Sequence, residues 1–151
     1  MDAGAAVRRA RSRGTARAHP DGMGAGQFTE LMAWQRAREL KNAVYALTAR
    51  PAVTRDLRFC GQIRDSASSA CSNIAEGFGR FSHREFGQFL VIARGSLMET
   101  RNHLQDGADR GYISRQELES LLALSSHALA ATTALLRYLQ QHPAPHVAPR
   151  T

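Results

Sequence analysis

The sequence predicts an all-α fold, an antiparallel up-down-up-down bundle of four helices. Three observations carry that expectation. Four segments space their apolar residues three and four positions apart, the period of a helix with one buried face. Two Ser-x-x-Glu strings stand where helices should begin. No stretch of useful length alternates apolar and polar residues as a half-exposed strand would. Hydrophobic residues make up 43% of the 151-residue chain and aromatics only 7%, a composition suited to a core of Leu and Ala.

Residues 1–26 are rich in Gly, Ala and Arg and show no periodicity, so they read as a disordered basic extension. Met23, just ahead of the first periodic segment, is a second candidate start of translation. The first helix is expected from about Thr29 to Arg50, with Ala33, Ala37, Leu40, Val44 and Leu47 on one stripe and Pro51 ending it. The second runs from about Asp56 to Phe78 on the stripe Ile63, Ala67, Ala70 and Ile74, and Gly79 suits a left-handed C-terminal position. The third starts at the capping box Ser82-His83-Arg84-Glu85, buries Phe86, Leu90, Ala93, Leu97 and Leu104, and ends near Gly111. The fourth starts at the capping box Ser114-Arg115-Gln116-Glu117; Leu118, Leu121, Leu135 and Leu139 face one way, with Leu122, Leu129 and Leu136 as a flanking row. These segments make one domain, residues 27–141. The proline-containing tail 142–151 reads as a second disordered end. Short connections imply antiparallel neighbours.

Ser66-Ala67-Ser68-Ser69-Ala70-Cys71-Ser72 is a run of small residues that lets another helix come close. The contact is either internal or between subunits, and the internal one is favoured because four helices must meet. Cys60 and Cys71, eleven residues apart on one helix, would lie about 16 Å from each other. A disulfide needs Cα atoms within about 7 Å, so a reduced, cytoplasmic protein is expected. No apolar run reaches the roughly 20 residues that cross a bilayer, so no membrane association is expected.

The formal charge is +7. Five arginines against two aspartates give residues 1–26 a net +3, and fourteen basic against eleven acidic side chains give residues 27–142 another +3. Lys41 is the only lysine beside nineteen arginines. A guanidinium offers a planar fork to phosphates and carboxylates, and a basic extension binds phosphate backbones by releasing counterions.

Tests for catalytic chemistry fail. Ser82, His83 and Glu85 are adjacent in sequence, but capping already occupies Ser82 and Glu85, and a nucleophile needs a base in reach with an orienting group behind it. Neither Cys-x-x-Cys nor His-x-x-x-His occurs. Glu99 and His103 share a helix face, but the second carboxylate–histidine pair of a metal bundle is missing. Gly77-Phe78-Gly79-Arg80 lacks the Gly-Lys-Ser/Thr ending of a phosphate loop. No enzyme activity, metal or cofactor is therefore expected. Two polar features remain. Arg80 and Arg84 near the start of the third helix make a candidate anion site. Glu76 and Arg94, lying beside apolar stripes, are expected to pair across the second and third helices.

The strings Phe28-Thr29-Glu30-Leu31 and Trp34-Gln35-Arg36-Ala37-Arg38-Glu39-Leu40, then Gln62-Ile63-Arg64 and Ser72-Asn73-Ile74-Ala75-Glu76-Gly77-Phe78-Gly79-Arg80, then Phe86, Phe89-Leu90 and Ala93-Arg94-Gly95-Ser96-Leu97 with Glu99, together resemble one family over roughly residues 27–141. It is the four-helix bundle family of 23S ribosomal RNA intervening-sequence proteins, also called S23 ribosomal proteins. Ala70-Cys71 departs from the family's usual Pro or Val, and Arg50–Arg55 replaces its usual connection. The resemblance marks Trp34, Asn73, Glu76, Gly77, Gly79, Gly95, Ser96 and Glu99 as motif residues with structural roles. It implies a small bacterial bundle that is one subunit of a ring-like homopentamer. A related branch, accessory proteins of diversity-generating retroelements, implies binding to a reverse transcriptase and to nucleic acid.

Two functions follow as expectations. The first is an oligomeric module binding RNA or DNA through Arg80, Arg84, Arg94 and Arg101. The second is a protein scaffold that docks a partner such as a reverse transcriptase.

Overall fold

The computed structural model describes residues 24–143; the expectations for residues 1–23 and 144–151 lie outside them. The described chain is helical, with a single 3-10 turn at Phe28–Glu30 followed by four long helices: α1 Met32–Thr48, α2 Leu57–Phe78, α3 His83–Asp109 and α4 Arg115–Gln141. Each helix packs on its neighbours in sequence, and α1 also packs on α4. Every residue of the first three expected stripes is buried. The stripes contain Ala33, Ala37, Ala67, Ala70 and Ala93, whose small side chains let the helix axes come near one another.

The ends of the helices follow the local chemistry. At the start of α4 the Glu117 backbone N–H donates to Ser114 Oγ at 3.1 Å while Glu117 Oε2 accepts from Ser114 N–H at 3.3 Å, a complete capping box. At the start of α3 only half of that exchange forms. Ser82 Oγ accepts from Glu85 N–H, but the Glu85 carboxylate takes the Ser82 hydroxyl at 3.0 Å instead of its backbone N–H. The end of α2 differs from expectation. Gly79 has φ −79°, a right-handed conformation, because Gly79 and Arg80 donate to the carbonyls of Glu76 and Gly77 and tighten the last turn. The helix that ends on a left-handed glycine is α3, at Gly111 with φ +78°. There Tyr112 N–H reaches Gly107 O and Gly111 N–H reaches Ala108 O, the paired bonds of a Schellman ending.

The fourth helix buries the C-terminal part of the expected leucine rows but not their N-terminal part. Ser125, Ala128, Thr132, Leu135 and Leu139 face the core with Leu136 beside them, and Leu118, Leu121, Leu122 and Leu129 are only half-buried. Two hydroxyls hide in that face because each has a partner: Thr132 Oγ1 donates to Ala128 O, and Ser125 Oγ accepts from Arg101.

The small-residue run of α2 meets α3 inside the subunit. Ser66 and Thr100 share a hydrogen bond at 2.9 Å, as do Ser69 and Ser96. Asn73 Nδ2 donates back to Ser69 O at 2.8 Å. One turn on, Gly77 lies so close to α3 that a Cβ there would be 2.7 Å from Phe86 Cδ2 and 2.8 Å from Phe89 Cβ. Cys60 and Cys71 are both buried and form no disulfide, as their shared helix requires. Burial pushes the Cys71 thiol up from its ordinary range, against the pull of Lys41 and Arg38. No described helix is long and apolar enough to cross a membrane.

Candidate nucleic-acid interface

The four arginines proposed from sequence have different surroundings. Arg80, at the α2–α3 turn, is held by Glu76 at 2.6 Å, and its guanidinium lies 4.6 Å from the centre of the Phe89 ring. Glu76 is therefore committed to Arg80 and not to Arg94, as the sequence had suggested. The hydroxyl pairs explain the correction: Ser69 stands across from Ser96, so Glu76, two turns further along α2, lies beyond the level of Arg94. The expected Arg80–Arg84 anion site is weakened in the same way, since the charge on Arg80 is already balanced.

Arg101 faces inward. Its Nη1 donates to Leu122 O at 3.1 Å, Ser125 Oγ at 3.0 Å and Ser126 Oγ at 2.9 Å, so it ties α3 to α4 instead of reaching for a ligand. Arg84 and Arg94 are exposed, and neither has a hydrogen-bond or ion-pair partner among the described residues. Arg137 on α4 is exposed in the same manner. Sequence reasoning missed it, although a signal was available: from Ser120 to Pro143 there is no Asp or Glu. The same holds on α3 from Phe86 to Met98, where Arg94 is the only charge.

The motif residues sort into packing and surface positions. Trp34 is half-buried, edge-on to Phe28 with ring centres 5.3 Å apart, and Arg38 lies over its face. Asn73, Gly77 and Ser96 belong to the α2–α3 seam described above. Gly79 is exposed at the α2 end, and Gly95 is exposed with open space where a Cβ would stand. Glu99 is exposed, its Oε1 3.5 Å from His103 Nε2. That nitrogen is itself buried and makes no hydrogen bond among the described residues. No group of three or more metal-ligating side chains is found among the described residues.

Elsewhere several arginines are paired with acids. Arg50 pairs with Glu117 at 2.9 Å, and Arg110 bridges Asp106 and Asp56 at 2.9 and 3.1 Å. The Asp56 carboxyl is held below its usual range by the Phe59 N–H that it caps, then by the Tyr112 hydroxyl and Arg110. Arg50, with the Ser114 N–H, lowers Glu117 likewise. Arg55 and Arg58 beside the start of α2 are also exposed without an ion-pair partner among the described residues, and unpaired Arg84, Arg94 and Arg137 stand on the α3–α4 side. It also carries exposed apolar side chains, Val91, Ile92 and Met98, each more than half accessible.

The family model described as 23S rRNA-intervening sequence protein matches residues 29–133. No curated protein matches the chain. The match spans more than half of the sequence, so the chain belongs to that family.

Proposed function

We propose that this member of the 23S rRNA-intervening sequence protein family is a non-enzymatic module that binds nucleic acid through the α3–α4 side of its bundle. The observation that carries this reading is the distribution of acid. Twenty-four consecutive residues of α4 and its end, from Ser120 to Pro143, and thirteen of α3, from Phe86 to Met98, hold no carboxylate. Arg84, Arg94 and Arg137 project from or beside those stretches without partners, ready to displace phosphate counterions. The family's name ties it to ribosomal RNA, which makes RNA the first ligand to try.

The bundle in this reading is antiparallel, up-down-up-down, and acts in the cytoplasm. The descending pairs Ser66–Thr100 and Ser69–Ser96 support the opposite sense of α2 and α3. It works as a ring of subunits, five by family resemblance, so that a few weak contacts per subunit add up. Binding measured by electrophoretic shift at increasing salt tests the proposal. The unmodified protein should bind with a steep salt dependence. The Arg84→Glu/Arg94→Glu double variant should bind weakly, with a log–log salt slope smaller by about 2. Absence of binding at the lowest salt rejects it.

A second reading has its own support. Val91, Ile92 and Met98 form an exposed apolar face that suits a protein partner such as a reverse transcriptase. In that case a nuclease-treated pull-down from the native host retains a protein, and the arginine variants leave the capture unchanged.

A further inference from the structure

A groove of about 440 Å³ lies between the start of α3 and the end of α4. That is within the range of about 300–1,000 Å³ in which small ligands bind. Its floor is apolar, made by Val91 of α3 with Leu136 and Leu139 of α4. Gly87 also lines it, and a Cβ at that position would come within 3.4 Å of Leu136 Cδ1, so the missing side chain keeps the floor open. Two primary amides, Gln88 and Gln140, flank it from the two helices. Each amide offers both a donor and an acceptor. Arg84, in the first turn of α3, stands at the rim, and no lining residue carries a carboxylate.

An apolar floor, two amide edges and an unpaired guanidinium match a nucleotide part by part. The flat face of a base lies on the leucines and valine, its polar edge meets the glutamines, and the adjoining phosphate takes Arg84 and the α3 N-terminus. A base in a duplex has both its faces stacked and its pairing edge occupied, so only an unpaired one presents these surfaces together. We infer that this groove holds an unpaired nucleotide, and that the ligand class is single-stranded nucleic acid. The inference rests on the nucleic-acid reading above and assigns it a place and a strand state.

The test uses the full chain and labelled strands on the order of ten nucleotides long, unpaired RNA, unpaired DNA and the matching duplex, followed by fluorescence anisotropy at low salt. Unpaired strands should bind more tightly than the duplex. Comparing RNA with DNA shows which strand supplies the nucleotide. The Gln88→Ala/Gln140→Ala variant keeps every charge, and thermal unfolding checks its fold. It should lose roughly tenfold in affinity for the unpaired strand, the worth of two hydrogen bonds, with the salt slope unchanged. Val91→Asp, which adds a carboxylate to the groove at an exposed position, should weaken unpaired binding at least as much. Equal binding of duplex and unpaired strand overturns the groove while leaving nucleic-acid binding in place. A strand preference untouched by either variant does the same. No binding of any strand overturns both readings.

Discussion

At the residue scale, glycines show how much a single missing methyl group can decide. Gly77 allows α2 to touch Phe86 and Phe89, so Gly77→Ala forces α3 to move and should destabilise the fold by about 1–3 kcal/mol in denaturant unfolding. Gly95, also inside a helix, has nothing within 4 Å of its would-be Cβ, and Gly95→Ala should stabilise by about 0.4–1 kcal/mol. The sequence string marked both as motif glycines and gave no means of telling them apart. The distinction lies in inter-helix distance, which no local pattern encodes. Asp56 sets a further test. Its carboxyl is held low in the folded protein by Phe59, Tyr112 and Arg110, so the stability that it contributes is fully present above the ordinary carboxylate range. That contribution is lost as pH falls below about 4 and through the lowered value. Asp56→Asn should therefore flatten the acid limb of a melting-temperature profile.

At the element scale, the buried faces of α1 to α3 and the start of α4 were legible, and the buried face of α4 was legible only in part. The Ser114–Glu117 box read from sequence forms in full, and Ser114→Ala should cost about 1 kcal/mol of stability. Glu117 has a second task, since it holds Arg50 and so fastens the end of α1 to the start of α4. The part of the inward stripe of α4 from Ser125 to Thr132 escaped the leucine pattern because Ser125 and Thr132 look like surface residues until their partners are known. One of those partners, Arg101, looked like a ligand contact for the converse reason. A free arginine and a tethered one have the same letter. Arg101→Met should lower the unfolding midpoint by loosening α3 from α4, and should leave the salt slope of nucleic-acid binding unchanged. Arg94→Glu should do the reverse.

At the scale of the whole molecule, charge explains more than shape. The described body pairs several of its acids locally: Glu39 with Arg36, Glu76 with Arg80, Asp106 and Asp56 with Arg110, Glu117 with Arg50. Arg84, Arg94 and Arg137 are left unpaired on the α3–α4 side, which the count of +3 over residues 27–142 concealed. The exposed apolar face of α3 borders that side. If subunits assemble through it, light scattering gives a multiple of the 16.5 kDa chain mass, and Ile92→Glu/Met98→Glu shifts that mass towards one subunit. A single-chain mass for the unmodified protein rejects the ring.

The α2–α3 seam also bears on the order in which the chain acquires its structure. Its two helices are joined by residues 79–82 alone, so closing that hairpin costs little loop entropy, whereas α1 and α4 can meet only after most of the chain is in place. The hydroxyl pairs and the Gly77 contact should then be formed early. In stopped-flow refolding, Thr100→Val should slow folding in proportion to its loss of stability, while a change at the α1–α4 contact such as Arg50→Gln should chiefly speed unfolding. The small residues that look like mere spacers would thereby set the rate at which the bundle forms.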